Sequence, residues 1–311
     1  MKIHLVRLLE GILPPDQSPL PIWQKLADLS NTNDSFTKNP DEADRIIFID
    51  LHQAHHMNVR KFVSQHQLYK NHSDKILVWN ETDRPLFDVR GLYVNVPIYL
   101  KIDVTIVPIP YLFVPADALF HETNFTTRQR TLRCTYRGTN THKCRKVLSQ
   151  LHIPDCSLID STLSNSIPKH DFLTELDRSI HALCPRGHGL TSFRLYEVMA
   201  RGCLPVIIAD GWVPPTGISW HSFCTFVDEK DTQQFADRLD YTTEEITQRQ
   251  KTLVTEYNTH LAPNVRMNYL LNQISNIPYG DCLSISNVAK TYNLNLKIRQ
   301  TVMGIKGLLK K

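Results

Sequence analysis

The chain is predicted to fold as two open α/β domains, each a parallel sheet wrapped by helices. Three observations predict this. Short β-branched apolar runs of strand length recur along the N-terminal part, stretches with helical spacing lie between them, and the same alternation begins again after an irregular stretch at 111–130.

The runs Ile3 to Leu8, Arg45 to Asp50, Lys75 to Trp79 and Val104 to Ile109 have the length and composition of buried parallel strands. Between them, Ile22, Leu26 and Leu29 share a helical face, and Val59, Phe62 and Val63 mark a helix over 59–69. Pro115 and the polar run His121 to Arg130 then break the rhythm and read as a linker.

The second alternation opens with a strand at Leu132 to Tyr136, a turn at Arg137-Gly138-Thr139-Asn140 and a basic helix from Lys143 to Leu151. Further strands are expected at Ser179 to Cys184, Pro205 to Ala209 and Cys224 to Val227, with helices at Ser192 to Arg201, near Thr232 to Leu239, and from Thr243 to Ser275. Within the tail, Ser284 to Val302 carries a faint helix-turn-helix pattern, too weak to imply DNA binding.

These readings give an N-terminal domain at 1–125, a second domain at 126–275 and a tail at 276–311 packing back on the domains. Two such domains facing each other hold ligand in the cleft near the carboxyl ends of their strands.

Composition excludes several classes. An apolar fraction of 41% and a charged fraction of 21% describe a globular protein with a sizeable core. A net charge of +4 is too small for a nucleic-acid footprint and suits an anionic small substrate. The seven cysteines are odd in number and contain no C-x-x-C pair, so reduced thiols are expected. The opening residues are too soon interrupted by charge for a signal peptide or anchor. A cytoplasmic protein, free or peripheral at a membrane, is therefore expected, and the four sequons at Asn33, Asn71, Asn80 and Asn124 read as chance occurrences.

The most informative segment runs from Cys184 to Trp212. A strand ends at Cys184, a loop with Gly187 and Gly189 follows, and Thr191 or Ser192 can cap a helix that turns Leu195, Val198 and Met199 inward. Arg186 and Arg194 place positive charge beside the helix start, which opposes the helix dipole but favours a bound anion such as diphosphate. Glu197, one turn on, is placed to accept ribose hydroxyls. The bland alternative is a surface ion pair between Arg194 and Glu197 and glycines that only shape a turn.

Together, Pro185 to Gly187, Ser192 to Arg194, Glu197, Pro205-Val206 and Asp210-Gly211-Trp212 with Pro215 resemble the nucleotide-binding core of exostosin-family glycosyltransferases. The resemblance continues through Ile218 to Val227; Tyr136-Arg137-Gly138 with Arg145 resembles the family's opening of the second domain. The match is looser in the first half, at Trp79 to Pro85 and Gly91 to Tyr93.

The resemblance implies two Rossmann-like domains of the GT-B type, a nucleoside-diphosphate sugar donor, a saccharide or other hydroxyl acceptor, and inversion without an essential metal or other cofactor. The Glu-x7-Glu pattern of many retaining enzymes would place its first glutamate at position 189, which is Gly189.

An inverting transfer needs a base for the acceptor hydroxyl and a cationic site for the departing diphosphate. Candidates for the second need are Arg186, Ser192, Arg194 and Gly187 of the helix start, assisted by Arg137, with Glu197, Asp210 and Trp212 completing the donor site. Candidates for the base are Asp83 and Glu81 after the strand ending at Trp79, with Asp50, His52, His55 and His56 as the rival loop. Trp212 also reads as an ordinary core side chain. Two alternatives remain open at this point: a non-enzymatic nucleotide- or phosphate-binding protein, and a retaining transferase or epimerase-like sugar-nucleotide enzyme.

Overall fold

The computed structural model describes residues 1–7, 19–49, 58–112, 130–162 and 169–308. By its contacts the chain divides into two compact units, Met1–Ile109 with Leu270–Lys311, and Pro110–Tyr269. The division therefore falls earlier than 125/126 and 275/276, and the C-terminal segment is part of the first unit.

In the first unit, β1 (Ile3–Arg7), α1 (Leu20–Leu29), β2 (Arg45–Ile49), α2 (Val59–Gln65), α3 (Gln67–His72), β3 (Ile76–Asn80), β4 (Gly91–Tyr93) and β5 (Ile106–Pro108) follow in order. The five strands form one parallel sheet in the order β1-β2-β3-β4-β5. β2 and β3 are buried along their whole length, as their unbroken apolar runs require of strands covered on both faces.

Helix α1 buries Trp23, Leu26 and Ala27, while Leu29, expected on the same face, is exposed. The Trp23 and Trp79 rings meet edge to face at 5.0 Å. The single helix expected over 59–69 is two. His66 takes extended backbone angles, and its Nδ1 accepts from Leu68 N at 3.2 Å, so one residue ends α2 and caps α3.

β4 escaped the sequence reading because it is three residues long and begins with glycine. That glycine is demanded by packing, since a Cβ on Gly91 would lie 2.2 Å from the Val78 carbonyl oxygen of β3.

In the second unit, β6 (Leu132–Gly138), α4 (Lys143–Leu148), β7 (Cys156–Asp160), α5 (Lys169–Arg178), β8 (Ser179–Pro185), α6 (Arg194–Ala200), β9 (Leu204–Ile208) and β10 (Thr225–Val227) form a second five-stranded parallel sheet, ordered β10-β9-β8-β6-β7. β7, missed in the sequence, is a half-buried edge strand without a continuous apolar run. Tyr136, Leu183, Val206, Ile208 and Phe235 form the core between sheet and helices.

The helix α7 (Thr243–Glu256) starts on a capping box, with Thr242 Oγ1 accepting from Glu245 N at 3.2 Å and Thr242 N donating to Glu245 Oε2 at 2.7 Å. It is followed by α8 (Pro263–Ser275) and α9 (Asn287–Leu308).

Two buried arginines fasten the C-terminal segment to the first unit. Arg45 donates to the Ile277 carbonyl and lies 3.4 Å from the Tyr279 ring centroid, and Arg90 donates to the Pro278 carbonyl. Asn293 Oδ1 accepts from Phe87 N at 2.8 Å. The faint helix-turn-helix over Ser284 to Val302 is one continuous helix from Asn287, with no turn. Both units are Rossmann-like, which is the fold class the alternation predicted.

Candidate functional site

The strand order of the second unit decides where a ligand belongs. From β6 the chain steps to β7 on one side and then returns to β8 on the other, so β6 and β8 are neighbours whose following loops diverge. Open α/β sheets take ligand at this reversal, outside the carboxyl ends of the strands. The loops in question are Thr139–His142, leading into α4, and 186–193, leading into α6.

Arg145 ties these loops together. Its Nε donates to Arg186 O at 2.9 Å, Nη2 to Pro185 O at 3.1 Å and Nη1 to Thr139 O at 3.4 Å. Three carbonyls on one guanidinium fix the spacing of the loops, and the sequence had shown Arg145 only as part of a motif.

Arg194, the first residue of α6, lies beneath the same loops. Its guanidinium is 4.8 Å from the Phe172 ring centroid and 5.8 Å from that of Tyr136. Burial lowers its pKa, Glu197 acting in the opposite direction. Among the described residues its Nε is buried without a hydrogen-bond partner, as are Tyr136 Oη, Asn140 Oδ1 and Thr141 Oγ1.

The two glycines leave room beside these groups. A Cβ on Gly138 would lie 2.8 Å from Tyr136 Oη and 3.2 Å from Arg194 Nη1, and one on Gly187 would lie 3.3 Å from Arg145 Nη2 and 3.4 Å from Thr141 Oγ1. Bare backbone, a buried cation and several unsatisfied polar atoms therefore converge at one end of the sheet. Each such atom costs about 1–3 kcal/mol unless a partner satisfies it; an anion with many acceptor oxygens does so for the three donors, Arg194 Nε, Tyr136 Oη and Thr141 Oγ1, whereas Asn140 Oδ1 needs a donor.

The other expected residues separate into distinct roles. The helix begins at Arg194 rather than Ser192: Phe193 occupies the cap position with helical angles, and the buried Ser192 accepts from Arg194 N through Oγ at 3.4 Å. Glu197 is 6% exposed, which removes the reading of a surface ion pair with Arg194. Leu195, Val198 and Met199 are buried as expected.

Arg137 does not reach the loops. Alternation along β6 puts Tyr136 and Gly138 toward Arg194 and sends Arg137 to the other face, where Glu175 of α5 grips it at 3.1 Å (Nε to Oε2) and 2.8 Å (Nη2 to Oε1).

Arg186 is likewise occupied, donating to Gly189 O at 3.0 Å and to Glu229 Oε1 at 3.3 Å. Glu229 also accepts from Asp210 N at 3.1 Å, while Asp210 Oδ1 accepts from Glu229 N at 2.8 Å. His142 Nε2 lies 3.6 Å from Glu229 Oε2, and burial lowers the His142 pKa against the pull of that carboxylate. Arg186 and Asp210 thus brace the loop through Glu229. The sequence reading missed that residue, although it stands just beyond the carboxyl end of β10. Trp212 is 6% exposed and packs on Trp220 at 6.1 Å, a core position rather than a stacking platform.

Of the base candidates, Glu81 is buried and accepts from the Trp79 indole N–H at 2.8 Å, so it holds the core of the first unit. Asp83 is half-buried in the loop after β3. His52, with Asp50, His55 and His56, lies outside the described residues. Among the described residues no cluster of side chains has metal-ligand geometry.

The profile of the Exostosin GT47 domain matches residues 65–242, more than half of the chain, with the loops after β6 and β8 inside the match. The chain belongs to the exostosin GT47 family. It is 37% identical over 71 residues to "Exostosin-1" of Drosophila melanogaster, covering 22% of this chain and 9% of that protein. It is 45% identical over 62 residues to "Probable beta-1,4-xylosyltransferase IRX10L" of Arabidopsis thaliana, covering 19% and 15%. With "Probable glucuronoxylan glucuronosyltransferase IRX7" of the same plant it shares 40% over 72 residues, covering 22% and 16%. The match thus spans less than a fifth of each of these relatives. Among solved structures, a "DNA modifying enzyme beta-glucosyltransferase" aligns over 88% of this exostosin-family chain and 100% of its own at 12% identity and a TM-score of 0.38.

Proposed function

We propose that this exostosin-family chain is an inverting glycosyltransferase that takes a nucleoside-diphosphate sugar, with UDP-sugars favoured, and transfers the sugar to a hydroxyl of a saccharide acceptor. The carrying observation is the group of buried polar atoms around Arg194, at the strand reversal of the second unit, that have no partner among the described residues. The diphosphate lies against Arg194 and the amides of the loops that start at Gly138 and Gly187. The hydroxyls of Ser192, Tyr136 and Thr141 complete its hydrogen bonds as donors, and Glu197 is assigned to the ribose. Arg186, Asp210 and Glu229 hold the loop in shape, while Arg137 ties the far face of β6 to Glu175 of α5.

In the reaction the acceptor oxygen attacks the anomeric carbon as its bond to the diphosphate oxygen breaks. The bonding pair leaves with the diphosphate, whose added charge Arg194 and the loop amides stabilise. The acceptor proton passes to a carboxylate. Asp83 is assigned that role because Glu81 is engaged with Trp79. No metal is assigned to the site, and Gly189 at the position of a retaining enzyme's first glutamate supports inversion.

The test is transfer from UDP- and GDP-sugars to oligosaccharide acceptors, with the product's anomeric configuration read by proton NMR. A UDP-sugar should raise the unfolding temperature, be consumed, and give a product of inverted configuration. A retained configuration, or turnover that stops when divalent metal is chelated, would refute the mechanism.

A further inference from the structure

We infer that the first unit docks on an anionic lipid surface through the segment between β4 and β5 and the exposed side of α9. Ile98, Tyr99, Ile102 and Val104 on that segment and Val288, Leu294 and Ile298 on α9 are all exposed, Ile102 to 83% and Tyr99 to 70%. The two stretches are neighbours, because the short helical turn Ile98–Leu100 packs on α9. A groove of about 540 Å³ between them is lined by Tyr99, Val288, Tyr292 and Leu296 together with two asparagines and a threonine. Apolar side chains gathered in this way mark an interaction surface, whereas scattered ones do not.

Charge decides what covers it. Residues 282–311 contain six of the chain's 35 Lys and Arg and none of its 31 Asp and Glu, so this segment carries +6 in a chain whose net charge is +4. Leu294 and Ile298 stand one helical turn apart, and the exposed Lys290 and Lys297 lie four residues before and three after Leu294. Lys101 is exposed beside Ile102. Of the nearby acids, Asp103 is bonded to Ser286 and Thr105, Asp88 is buried in a groove shared with Lys290 and Lys297, and Asp281, exposed just before the segment, accepts from Tyr69.

Aliphatic side chains interspersed with lysines and with the exposed Asn287, Thr291 and Asn295 suit a shallow contact with anionic headgroups, held by the lysines and by the isoleucines at the headgroup level. A nucleic acid would pair the lysines but leave the isoleucines in water. A second copy of the chain would set two basic faces against each other. Among the described residues no helix is long and apolar enough to cross a membrane.

The test is flotation of the full chain with phosphatidylcholine vesicles, with and without phosphatidylserine. Binding should require phosphatidylserine and weaken with salt. Lys290→Glu and Lys297→Glu should each lower it by at least about fivefold, since one basic residue near an anionic surface contributes about 1 kcal/mol. Ile102→Asp with Ile298→Asp should lower it further, while the stabilisation by UDP in the second unit stays unchanged and shows that the variants fold. Equal binding to both kinds of vesicle, or wild-type binding by these variants, would overturn the inference. So would a dimer, seen by light scattering and dissolved by Ile298→Asp, in a chain that ignores vesicles; that result would identify the face as a contact between copies.

Discussion

Arg194→Ala should remove UDP binding, lowering the affinity by about a hundredfold or more while the unliganded protein keeps its fold. A bidentate arginine on a diphosphate makes two charge-assisted bonds, each contributing about 1.5–3 kcal/mol. The guanidinium is buried beside Tyr136 and Phe172, and among the described residues its Nε has no hydrogen-bond partner. The free protein therefore gains little from this side chain, and its unfolding temperature should move by a few degrees at most. Arg194→Lys should restore only part of the affinity, because an ammonium keeps the charge but not the fork. Calorimetric titration with UDP reads the difference; unchanged affinity in Arg194→Ala would place the diphosphate elsewhere.

The second unit should lose about 3 kcal/mol of stability as the pH falls from 6.5 to 4, through one histidine. His181 on β8 is 1% exposed, its Nδ1 lies 3.2 Å from Arg133 O, and Tyr241 stacks on its ring. Burial brings its pKa down from 6.5 to about 4. Above pH 6.5 the ring is neutral both folded and unfolded, so it adds no pH dependence. Below that value the unfolded chain takes up a proton that the folded chain refuses, and stability falls until the folded pKa is reached. Carboxylates titrate near the lower end of this window, so the informative quantity is a difference. Urea unfolding of the wild type and His181→Leu at both pH values should show a clearly smaller loss in the variant. An equal loss in the two proteins would assign the pH dependence to other groups.

The fold was legible wherever the sequence wrote its pattern in unbroken apolar runs, as at Ile46 to Ile49, Ile76 to Trp79 and Pro205 to Ile208. It was illegible where burial comes from neighbours rather than from the run itself. β4 is three residues opening on a glycine that β3 crowds, and β7 is a half-exposed edge. The break at His66 depends on a side chain that caps its own chain, which no apolar spacing reveals.

The candidate site was legible as a region and less so as a set of roles. Arg194 was identifiable because it stands at a helix start after a glycine loop. Arg137 and Arg186 carry the same charge nearby, but strand alternation turns one toward Glu175, and Glu229 claims the other. Those two carboxylates are 38 and 43 residues away in the chain, so spacing could not expose the pairing. Arg145 and Thr141 went unchosen because their part depends on which strand lies beside β6. That adjacency is a property of strand order and is not carried by any motif.

A crystal structure of the full chain with UDP tests the central claim most directly. The diphosphate should sit at the carboxyl ends of β6 and β8, with the Arg194 guanidinium and the amides after Gly138 or Gly187 within hydrogen-bonding distance of its oxygens. A nucleotide bound at another end of the sheet, with Arg194 still packed only between the rings of Tyr136 and Phe172, would contradict it.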